Sequence, residues 1–322
     1  MSASRTWLAA ALALALALAL APAAGATNGM YLTAYGTEAM GRGGANLAIS
    51  DRSLALAFNP AGIAQLQGNH FSANLATMAP SLEFENMVNG PTDAKSRYFP
   101  MPSVAYVRGA KDSKWTWGVG LIGQGGMGAT FEDLNTFFGT VDQTYTQVRF
   151  MTLSPTVAYS VSEDFSLGLT WNIGYADASF RFFPQTSFFN TQVPEMSFFG
   201  VKMENAHGYQ QNFRFGAWWR PHPKVSLGAI YQTETDSTFE GGDMQVNFAA
   251  HPMLGRKVQY EGKMDGFTFA AQAGVGIAIR PDDRWTIALD VKQNYWDHAL
   301  DTITVTSSNP DTPGAPPVTL PF

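Results

Sequence analysis

Short segments in which every second residue is apolar recur along this chain, in pairs joined by polar turns. In "FRFGAWWRPHPKVSLGAIYQ", residues 213–232, two alternating segments flank a Pro-rich corner, and this arrangement predicts a β-hairpin. Three further pairs have the same form. The four turns lie near residues 108–114, 161–164, 220–224 and 280–284. The pattern therefore predicts an antiparallel, all-β fold.

The second strand of each pair has one apolar face and one face of small or polar residues. The apolar face carries Trp115, Trp117, Val119, Leu121, Phe165, Leu167, Leu169, Trp171, Val225, Leu227, Ala229, Tyr231, Trp285, Ile287, Leu289 and Val291. On the opposite face of these strands, the large apolar residues are Ile122 and Ile230. Such a contrast is expected where a sheet separates two different media.

Short and long connections alternate along the chain. The long ones span roughly residues 80–97, 126–144, 184–207 and 238–264, and the last begins at 298. This alternation is typical of outer-membrane β-barrels, which have short periplasmic turns and long external loops. A β-sandwich is the alternative, but its loops are short at both ends. Aromatic residues near the short turns fit a girdle at the membrane interface: Trp115, Phe165, Trp219 and Trp285. We therefore predict a transmembrane antiparallel β-barrel whose apolar face meets lipid.

Residues 69–300 are predicted to form about nine barrel strands. These are 69–79, 97–108, 115–126, 144–161, 165–183, 207–219, 225–238, 264–279 and 285–300. Bacterial single-chain barrels have an even number of strands, and the ninth strand here runs outward. The tail, residues 301–322, is rich in Pro, which disfavours a further strand. We expect the tail to be an external loop in which the chain stops before its last strands, and the reading frame beyond Phe322 tests this expectation.

The N-terminus predicts export through the general secretory route. Arg5 precedes an apolar run over residues 7–20, and residues 24–26 are a small-residue cleavage site, so residues 1–26 are interpreted as a signal peptide. The alternative, an N-terminal membrane helix, is disfavoured because the run is short. Residues 27–68 do not alternate and are rich in Gly, Ala and Ser. We expect this segment to lie in the periplasm or to pack inside the barrel.

Composition narrows the chemistry that the chain can perform. Charged residues are only 14% of the chain, and Cys is absent, which excludes disulfides and thiolate metal sites. The net charge of −6 gives no electrostatic case for nucleic-acid binding. The histidines lack metal-ligand spacing, and no Gly-x-Ser-x-Gly motif is present. Asp290 and Lys292 lie two apart on the polar face and are interpreted as a pore-lining ion pair. We predict no catalytic residue, no metal and no cofactor.

Several stretches resemble one family, the FadL-type outer-membrane transporters of long-chain fatty acids and aromatic hydrocarbons. They are "GRGGANLAISDRSLALAFNPAGIAQL", "FPMPSVAYV", "SPTVAYSVSEDFSLGLTWNIGYA", "FRFGAWWRPHPKVSLGAIYQTETDSTFEGG" and "RPDDRWTIALDVKQNYWD". They cover most of residues 40–297 in the order of the family. The resemblance implies a fourteen-stranded barrel with an N-terminal hatch in its lumen, so about five strands are absent from this chain. It places the Asn59-Pro60-Ala61-Gly62 motif in the hatch.

The resemblance also implies a route for the ligand. Outer loops capture it, an inner pocket receives it, and it leaves sideways through a kink in the third strand. In "WTWGVGLIGQGGMGATF" the alternation fails at Gly123, Gly125 and Gly126, and Gly inside a strand marks a bulge or bend. These three residues are our candidates for the lateral opening. The alternative is a strand that simply ends in a Gly-rich loop.

Two predicted external loops are unusually rich in Phe, although loops that face water are expected to be polar. We interpret their aromatic and aliphatic residues as a surface that captures a hydrophobic ligand. The candidates are Phe131, Leu134, Phe137, Phe138, Phe182, Phe183, Phe188, Phe189, Phe198 and Phe199. The alternative is that these loops pack on each other or touch the outer leaflet.

Three classes of function are compatible with these features. Passive uptake of a hydrophobic small molecule ranks first, because a hatch is of little use to an adhesin. A barrel fragment or surface adhesin without transport ranks second, and a barrel enzyme ranks third. The expected partners are the hydrophobic ligand, outer-membrane lipid and lipopolysaccharide, and the barrel assembly machinery, with no nucleic acid. The expected assembly is a monomer in the outer membrane of a Gram-negative bacterium. The sequence does not name the cargo.

Overall fold

The computed structural model describes residues 31–95, 98–299 and 302–321. The predicted signal peptide, residues 1–26, lies outside the described residues. The strands are β1 (Gly68–Met78), β2 (Glu83–Asn86), β3 (Asn89–Asp93), β4 (Phe99–Gly109), β5 (Trp115–Asn135), β6 (Val141–Ser160), β7 (Phe165–Phe188), β8 (Phe198–His222), β9 (Val225–Gln232), β10 (Thr235–Asn247), β11 (Lys257–Phe269), β12 (Ala271–Asp282), β13 (Trp285–Tyr295), β14 (Thr304–Ser308) and β15 (Thr319–Pro321). The prediction of an all-β fold is confirmed.

Helical structure is limited to short pieces. The α-helix α1 covers Thr37–Gly41, and 3₁₀ turns cover Ser53–Ala57, Pro60–Gln65, Pro194–Met196 and Trp296–His298. None of the described helices has the length and apolar character needed to cross a membrane.

Thirteen of the strands form one antiparallel sheet. Its main path runs β1-β4-β5-β6-β7-β8-β10-β11-β14-β15. A branch of this sheet begins where β9 pairs with residues 214–222 of β8, and it continues through β12 to β13. The strands β2 and β3 form a separate hairpin. Within the described residues the sheet does not close on itself, because β1 pairs only with β4.

Within the described residues the predicted count of nine wall strands is corrected to thirteen, with two more strands in a separate hairpin. Two of the predicted wall strands are each interrupted and become two: β9 and β10, and β11 and β12. The interruption between β11 and β12 falls at Ala270, whose carbonyl accepts a hydrogen bond from the Tyr31 hydroxyl at 3.1 Å. Tyr31, which lies outside the strands of the sheet, therefore contacts the chain at this break, and the local sequence gives no sign of the contact.

Four further strands lie in regions that were predicted to be loops: β2, β3, β14 and β15. The β2–β3 hairpin occupies residues 83–93, where the Asn86 side chain accepts hydrogen bonds from the backbone N–H groups of Val88 and Asn89. In the Pro-rich tail, β15 pairs with β14 and ends at Pro321. Pro is tolerated there because β15 lies at the edge of the sheet.

The strands also continue far beyond the predicted membrane band. The predicted loop 126–144 is mostly strand, because β5 extends to Asn135 and β6 begins at Val141. The predicted loop 184–207 is likewise reduced to a short connection between β7 and β8. The predicted ends of these strands were therefore wrong.

The two faces of the sheet are as predicted. Trp117, Leu167 and Leu289 expose 62%, 46% and 51% of their surface, and Leu227 is half-buried. Inner-face neighbours such as Thr116 and Ser226 are buried. A second set of exposed aromatic residues, Tyr175, Tyr209 and Tyr295, lies at the other end of the apolar band. This set completes a pair of girdles of the kind that flanks the apolar band of membrane barrels.

Residues 31–67, here called the N-terminal segment, lie against the inner face of the sheet. Leu47, Leu56 and Ile63 of this segment are fully buried or nearly so. They belong to one apolar cluster that also contains Val107 and Ile122 of the sheet. Apolar residues on the inner face therefore mark where this segment packs.

Candidate functional site

Asn59 fastens the N-terminal segment to the sheet. Its Oδ1 accepts a hydrogen bond from the Ala61 N–H at 3.1 Å, which caps the 3₁₀ turn Pro60–Gln65. Its Nδ2 donates to the carbonyls of Leu47 and Ala217, each at 2.9 Å. One buried amide therefore joins its own turn, a second part of the segment and strand β8. Pro60, Ala61 and Gly62 of the same motif are all buried.

Glycines on the inner face allow this close approach. A Cβ added to Gly216 would lie 2.2 Å from Asn59 Oδ1, and one added to Gly168 would lie 2.3 Å from the Ala61 nitrogen. A Cβ added to Gly228 would lie 2.0 Å from the Leu47 carbonyl oxygen. The small residues on the inner face of the predicted strands therefore form the surface on which the N-terminal segment packs, here called its seat.

Polar side chains of the sheet complete the seat. Trp218 Nε1 and Ser226 Oγ both donate to the Ala48 carbonyl, at 3.0 and 2.8 Å. Ser166 Oγ donates to the Ala61 carbonyl at 2.9 Å. The sequence did not single out Trp218, Ser166 or Ser226, although their position on the inner face was a usable signal.

Asp290 and Lys292 form the expected ion pair, with 3.7 Å between Lys292 Nζ and Asp290 Oδ2. The pair also holds the N-terminal segment. The backbone N–H groups of Asn46 and Leu47 donate to Asp290 Oδ2 at 2.7 and 3.0 Å, and Lys292 donates to the Gly44 carbonyl at 3.0 Å. Its function in the structure is therefore an anchor as well as a charge pair.

Arg214 is a further buried anchor that the sequence did not indicate. Its guanidinium donates to the Ala57 carbonyl and to Gln232 Oε1. Nearby, burial raises the pKa of the Tyr35 hydroxyl, so this side chain stays neutral inside the protein.

The candidate lateral opening lies at a bulge in β5. The register between β5 and β6 shifts between Gly123 and Gly125. Gly125 has a φ of 140°, which side chains rarely tolerate, and a Cβ on Gly126 would lie 2.4 Å from the Val148 carbonyl oxygen. Tyr31 of the N-terminal segment forms an isolated β-bridge with Gly125. The backbone conformation at Gly125 and the close backbone contact at Gly126 therefore require Gly at both positions.

At the same point β5 separates from β4. Their pairing ends at Ser103 with Ile122, whereas β5 continues to pair with β6 as far as Asn135. The residues of β4 before Ser103 pair with β1 alone. The wall thus has a gap between β4 and β5, and Gly123, Gly125 and Gly126 lie along it. The alternative of a strand that ends in a Gly-rich loop is wrong, because β5 runs on for nine residues beyond Gly126.

A cavity of about 820 Å³ fills this gap. Its lining includes Phe99, Met101, Gly125, Met127 and Phe150. Arg149 and Asp177 lie on its rim and form an ion pair, with Arg149 Nε 2.9 Å from Asp177 Oδ1. The cavity is mostly apolar and extends from the buried ring of Phe150 to the outer surface, where Met127 is 51% exposed.

The candidate capture residues form two aromatic groups. In the first, Phe138 stacks on Phe188 and Phe198, with ring centroids 5.0 and 5.1 Å apart, and Phe182 and Phe183 contact Phe198. In the second, Phe199 packs on Phe248 at 4.8 Å, while His251 contacts Phe199 and Phe189. Seven of the ten candidates belong to these groups.

The other three candidates lie elsewhere. Phe131 packs on Phe84 of the β2–β3 hairpin, with centroids 5.5 Å apart. Leu134 is fully buried, and Phe137 is 63% exposed. Leu134 therefore supports the structure around it and offers no surface to a ligand.

A pocket of about 290 Å³ lies between the two aromatic groups. Its lining comprises Phe182, Ser197, Phe198, Phe199, Val201, Val246, Phe248, Val318, Leu320 and Pro321. Every side chain in this lining is uncharged, and Ser197 is its one hydroxyl among the described residues.

Packed aromatic side chains connect this pocket with the cavity at the gap. Phe150, Phe239, Phe267 and Phe269 are all at least 96% buried. The Phe150 and Phe269 rings meet edge to face at 4.5 Å, and Phe239 meets Phe267 at 5.5 Å. The same apolar cluster includes Phe248, with Phe199 packed against it. One contiguous apolar cluster therefore reaches from the outer pocket to the gap in the wall. Among the described residues, no three side chains are grouped so as to hold a metal ion.

A large antiparallel sheet with an apolar outer face and a segment packed on its inner face defines a β-sheet membrane protein. The chain belongs to the outer membrane protein transport protein family (OMPP1/FadL/TodX), whose profile matches residues 16–313. Proteins of this family are outer-membrane transport channels of Gram-negative bacteria.

Solved structures share the fold. The toluene transporter TbuX of Ralstonia pickettii is 18% identical with a TM-score of 0.69, and 90% of this chain aligns with 79% of that chain. The P. putida toluene transporter TodX is 15% identical with a TM-score of 0.70, covering 90% and 78%. A Pseudomonas aeruginosa FadL homologue is 16% identical with a TM-score of 0.64, covering 91% and 74%. A comparison with curated proteins finds no match.

Proposed function

We propose that this protein takes up small hydrophobic molecules, either aromatic hydrocarbons or long-chain fatty acids, across the outer membrane by passive diffusion. The observation that carries the proposal is the contiguous apolar cluster between the outer pocket and the gap beside β5. Family membership supports it, because the family is one of outer-membrane transport channels. No cofactor and no energy input are required, since the ligand moves down its concentration gradient.

Capture is the first step. The aromatic residues around the outer pocket remove the ligand from water, and each CH₂ buried contributes about 0.8 kcal/mol. The uncharged lining of the pocket favours a neutral ligand, because the described lining residues include no cation to pair with a carboxylate. Of the two ligand classes, aromatic hydrocarbons therefore fit this pocket better, in line with the toluene transporters that share the fold.

Lateral exit is the last step. The N-terminal segment acts as the hatch, and its bonds to the inner face through Asn59, Asp290 and Lys292 favour a closed route to the periplasm. The ligand moves past Phe150 and leaves between β4 and β5, where Gly123, Gly125 and Gly126 bend the wall. The apolar outer face would then deliver it directly into lipid.

The proposed function also requires that the protein be assembled in the outer membrane. The chain is exported through the general secretory route, inserted by the barrel assembly machinery, and works as a monomer in contact with lipid and lipopolysaccharide. Two girdles of aromatic side chains on the outer face support the membrane contact.

The lateral exit is tested by a double substitution, Gly125→Val with Gly126→Val. The added side chains oppose the backbone of the bulge, so uptake of labelled toluene by cells lacking other such transporters should fall at least tenfold. Gly90→Val is the matched control, because a Cβ on Gly90 meets no atom within 4 Å. Labelled oleate, measured in the same cells, separates the two ligand classes. Equal uptake of both cargoes by the wild type, the double variant and an empty-vector strain would reject transport and leave a non-transporting barrel or adhesin.

The capture step is tested by replacing Phe188 and Phe189 with Ser. One ring is lost from each aromatic group, so toluene uptake at low concentration should fall severalfold while the amount of protein in the outer membrane is unchanged. Phe137→Ser is the control, since this side chain is 63% exposed. An equal loss in the control would show that general loop polarity, not the two groups, controls capture.

A further inference from the structure

Four methionines from four different strands meet at the cavity beside β5. They are Met78 of β1, Met101 of β4, Met127 of β5 and Met151 of β6. The chain has 13 Met in 322 residues, so four in the lining of one cavity is a clear concentration. Strand pairing fixes their positions: Met101 lies opposite Ala76, Met151 opposite Gly123 and Met127 opposite Val148.

The exposed fraction of the four side chains increases from the interior of the protein to the outer face of the sheet. Met101 is 7% exposed and lines the same inner end as Phe150, the last ring of the interior apolar cluster. Met78 is half-buried, whereas Met151 is 37% and Met127 is 51% exposed. A ligand that passes from Phe150 to lipid therefore crosses thioether groups over the whole gap.

The chemistry of Met differs from that of other apolar residues in two ways. Its unbranched side chain has three rotatable bonds and adapts to ligands of different shape. Its polarisable sulfur makes favourable contacts with the edges of aromatic rings, which a saturated ring of the same size does not provide. A lining of Met thus distinguishes an aromatic ring from its aliphatic counterpart without any hydrogen bond.

We propose that Met78, Met101, Met127 and Met151 are specificity-determining residues of the exit, which favour planar aromatic ligands over saturated ligands of similar size. This inference rests on the proposed transport function and names the ligand class that its exit prefers.

The test compares toluene with methylcyclohexane, which has the same carbon skeleton and no aromatic ring. Both labelled probes are supplied to cells expressing the wild type or a variant with all four residues changed to Leu, a swap that conserves volume. The expected result is a fall of about threefold or more in the ratio of toluene to methylcyclohexane uptake, because the ring–sulfur contacts are lost. Methylcyclohexane uptake itself should change little.

A matched control replaces three methionines outside the cavity. Met87, Met196 and Met253 are 90%, 66% and 86% exposed, and their change to Leu should leave the ratio as in the wild type. If the fourfold variant does not reach the outer membrane, the single changes Met127→Leu and Met151→Leu, both at exposed positions, are measured instead. An unchanged ratio in the cavity variants would overturn the inference while transport stands. Wild-type cells that take up labelled oleate but neither probe would also overturn the inference, whereas cells that take up none of the three would overturn the proposed function itself.

Discussion

Asn59 connects three backbone segments through one buried side chain. Its amide caps the 3₁₀ turn that follows, and it bonds both the Leu47 carbonyl and the Ala217 carbonyl of β8. A buried carbonyl left without a donor costs about 1–3 kcal/mol, so the effect of one residue extends to the seating of the whole N-terminal segment. Asp290 has a similar function, since it accepts two backbone N–H groups of the segment.

The change Asn59→Ala tests this connection. It removes the Asn59 donor from the buried Leu47 carbonyl and the partly buried Ala217 carbonyl, so the attachment of the segment should weaken by about 1–3 kcal/mol. Limited proteolysis of the folded protein should then cut within residues 44–66 at least several times faster than in the wild type. Asn69→Ala, at an exposed position, provides the control. Equal protection of the segment in both variants would show that apolar packing alone holds it.

At the scale of whole strands, the inner lining changes along the sheet. Near the short turns, the inner faces of β7, β8 and β9 present Gly, Ser and Thr to the N-terminal segment. The strands β10 and β11 instead carry buried Phe239, Met244 and Phe267, which belong to one apolar cluster. The breaks between β9 and β10 and between β11 and β12 fall at this change of lining. One end of the sheet therefore contacts the N-terminal segment, and the other end surrounds the apolar cluster.

Gly216→Val tests the lining near the short turns. Its Cβ would lie 2.2 Å from Asn59 Oδ1 and 2.8 Å from Pro60 Cδ, so β8 and the segment cannot both keep their positions. We expect a sheet that still assembles, with hydrogen exchange accelerated at residues 44–66. Gly90→Val has open space for its side chain and should exchange as the wild type does. Wild-type exchange in the Gly216 variant would mean that the segment is not seated on β8.

At the scale of the whole molecule, the apolar cluster and most of the N-terminal segment lie in separate layers, which meet at Tyr31, where the segment packs against the cluster and bridges Gly125. The cluster leads from the outer pocket to the gap beside β5, whereas the bonds of the segment to Ala217, Ser166 and Ser226 lie on the strands nearer the short turns. A route through the gap therefore requires no departure of the segment from these strands.

A disulfide between Ala61→Cys and Ser166→Cys tests this separation. Ser166 Oγ lies 2.9 Å from the Ala61 carbonyl, and the chain has no other Cys to interfere. With the lateral route, toluene uptake by the oxidised variant should match that of the reduced variant, with bond formation measured by thiol titration. Uptake that appears only after reduction would instead show that the segment must leave its seat.

The sequence by itself determined the membrane-facing part of this protein. Alternation is readable where one face of a strand meets lipid and the other meets small or polar groups, and this is why Trp117, Leu167 and Leu289 were placed correctly. The Asn-Pro pair at residues 59–60 is a comparable local signal, because such pairs favour the start of a turn and the Asn59 side chain bonds the backbone of the turn that follows.

Only the tertiary structure decided the rest. The extension of β5 to Asn135 was predicted to be a loop. Around Phe239 the faces of the sheet are reversed: Met244, Val246, Val258 and Tyr260 are buried, whereas Gln245 and Gln259 between them are polar, so the apolar face there meets protein and not lipid. The break at Ala270 and the bridge at Gly125 both depend on Tyr31, which is 239 residues from Ala270 along the chain. Contacts between residues so far apart leave no local pattern, because a local pattern reflects only the medium that each face of a strand meets.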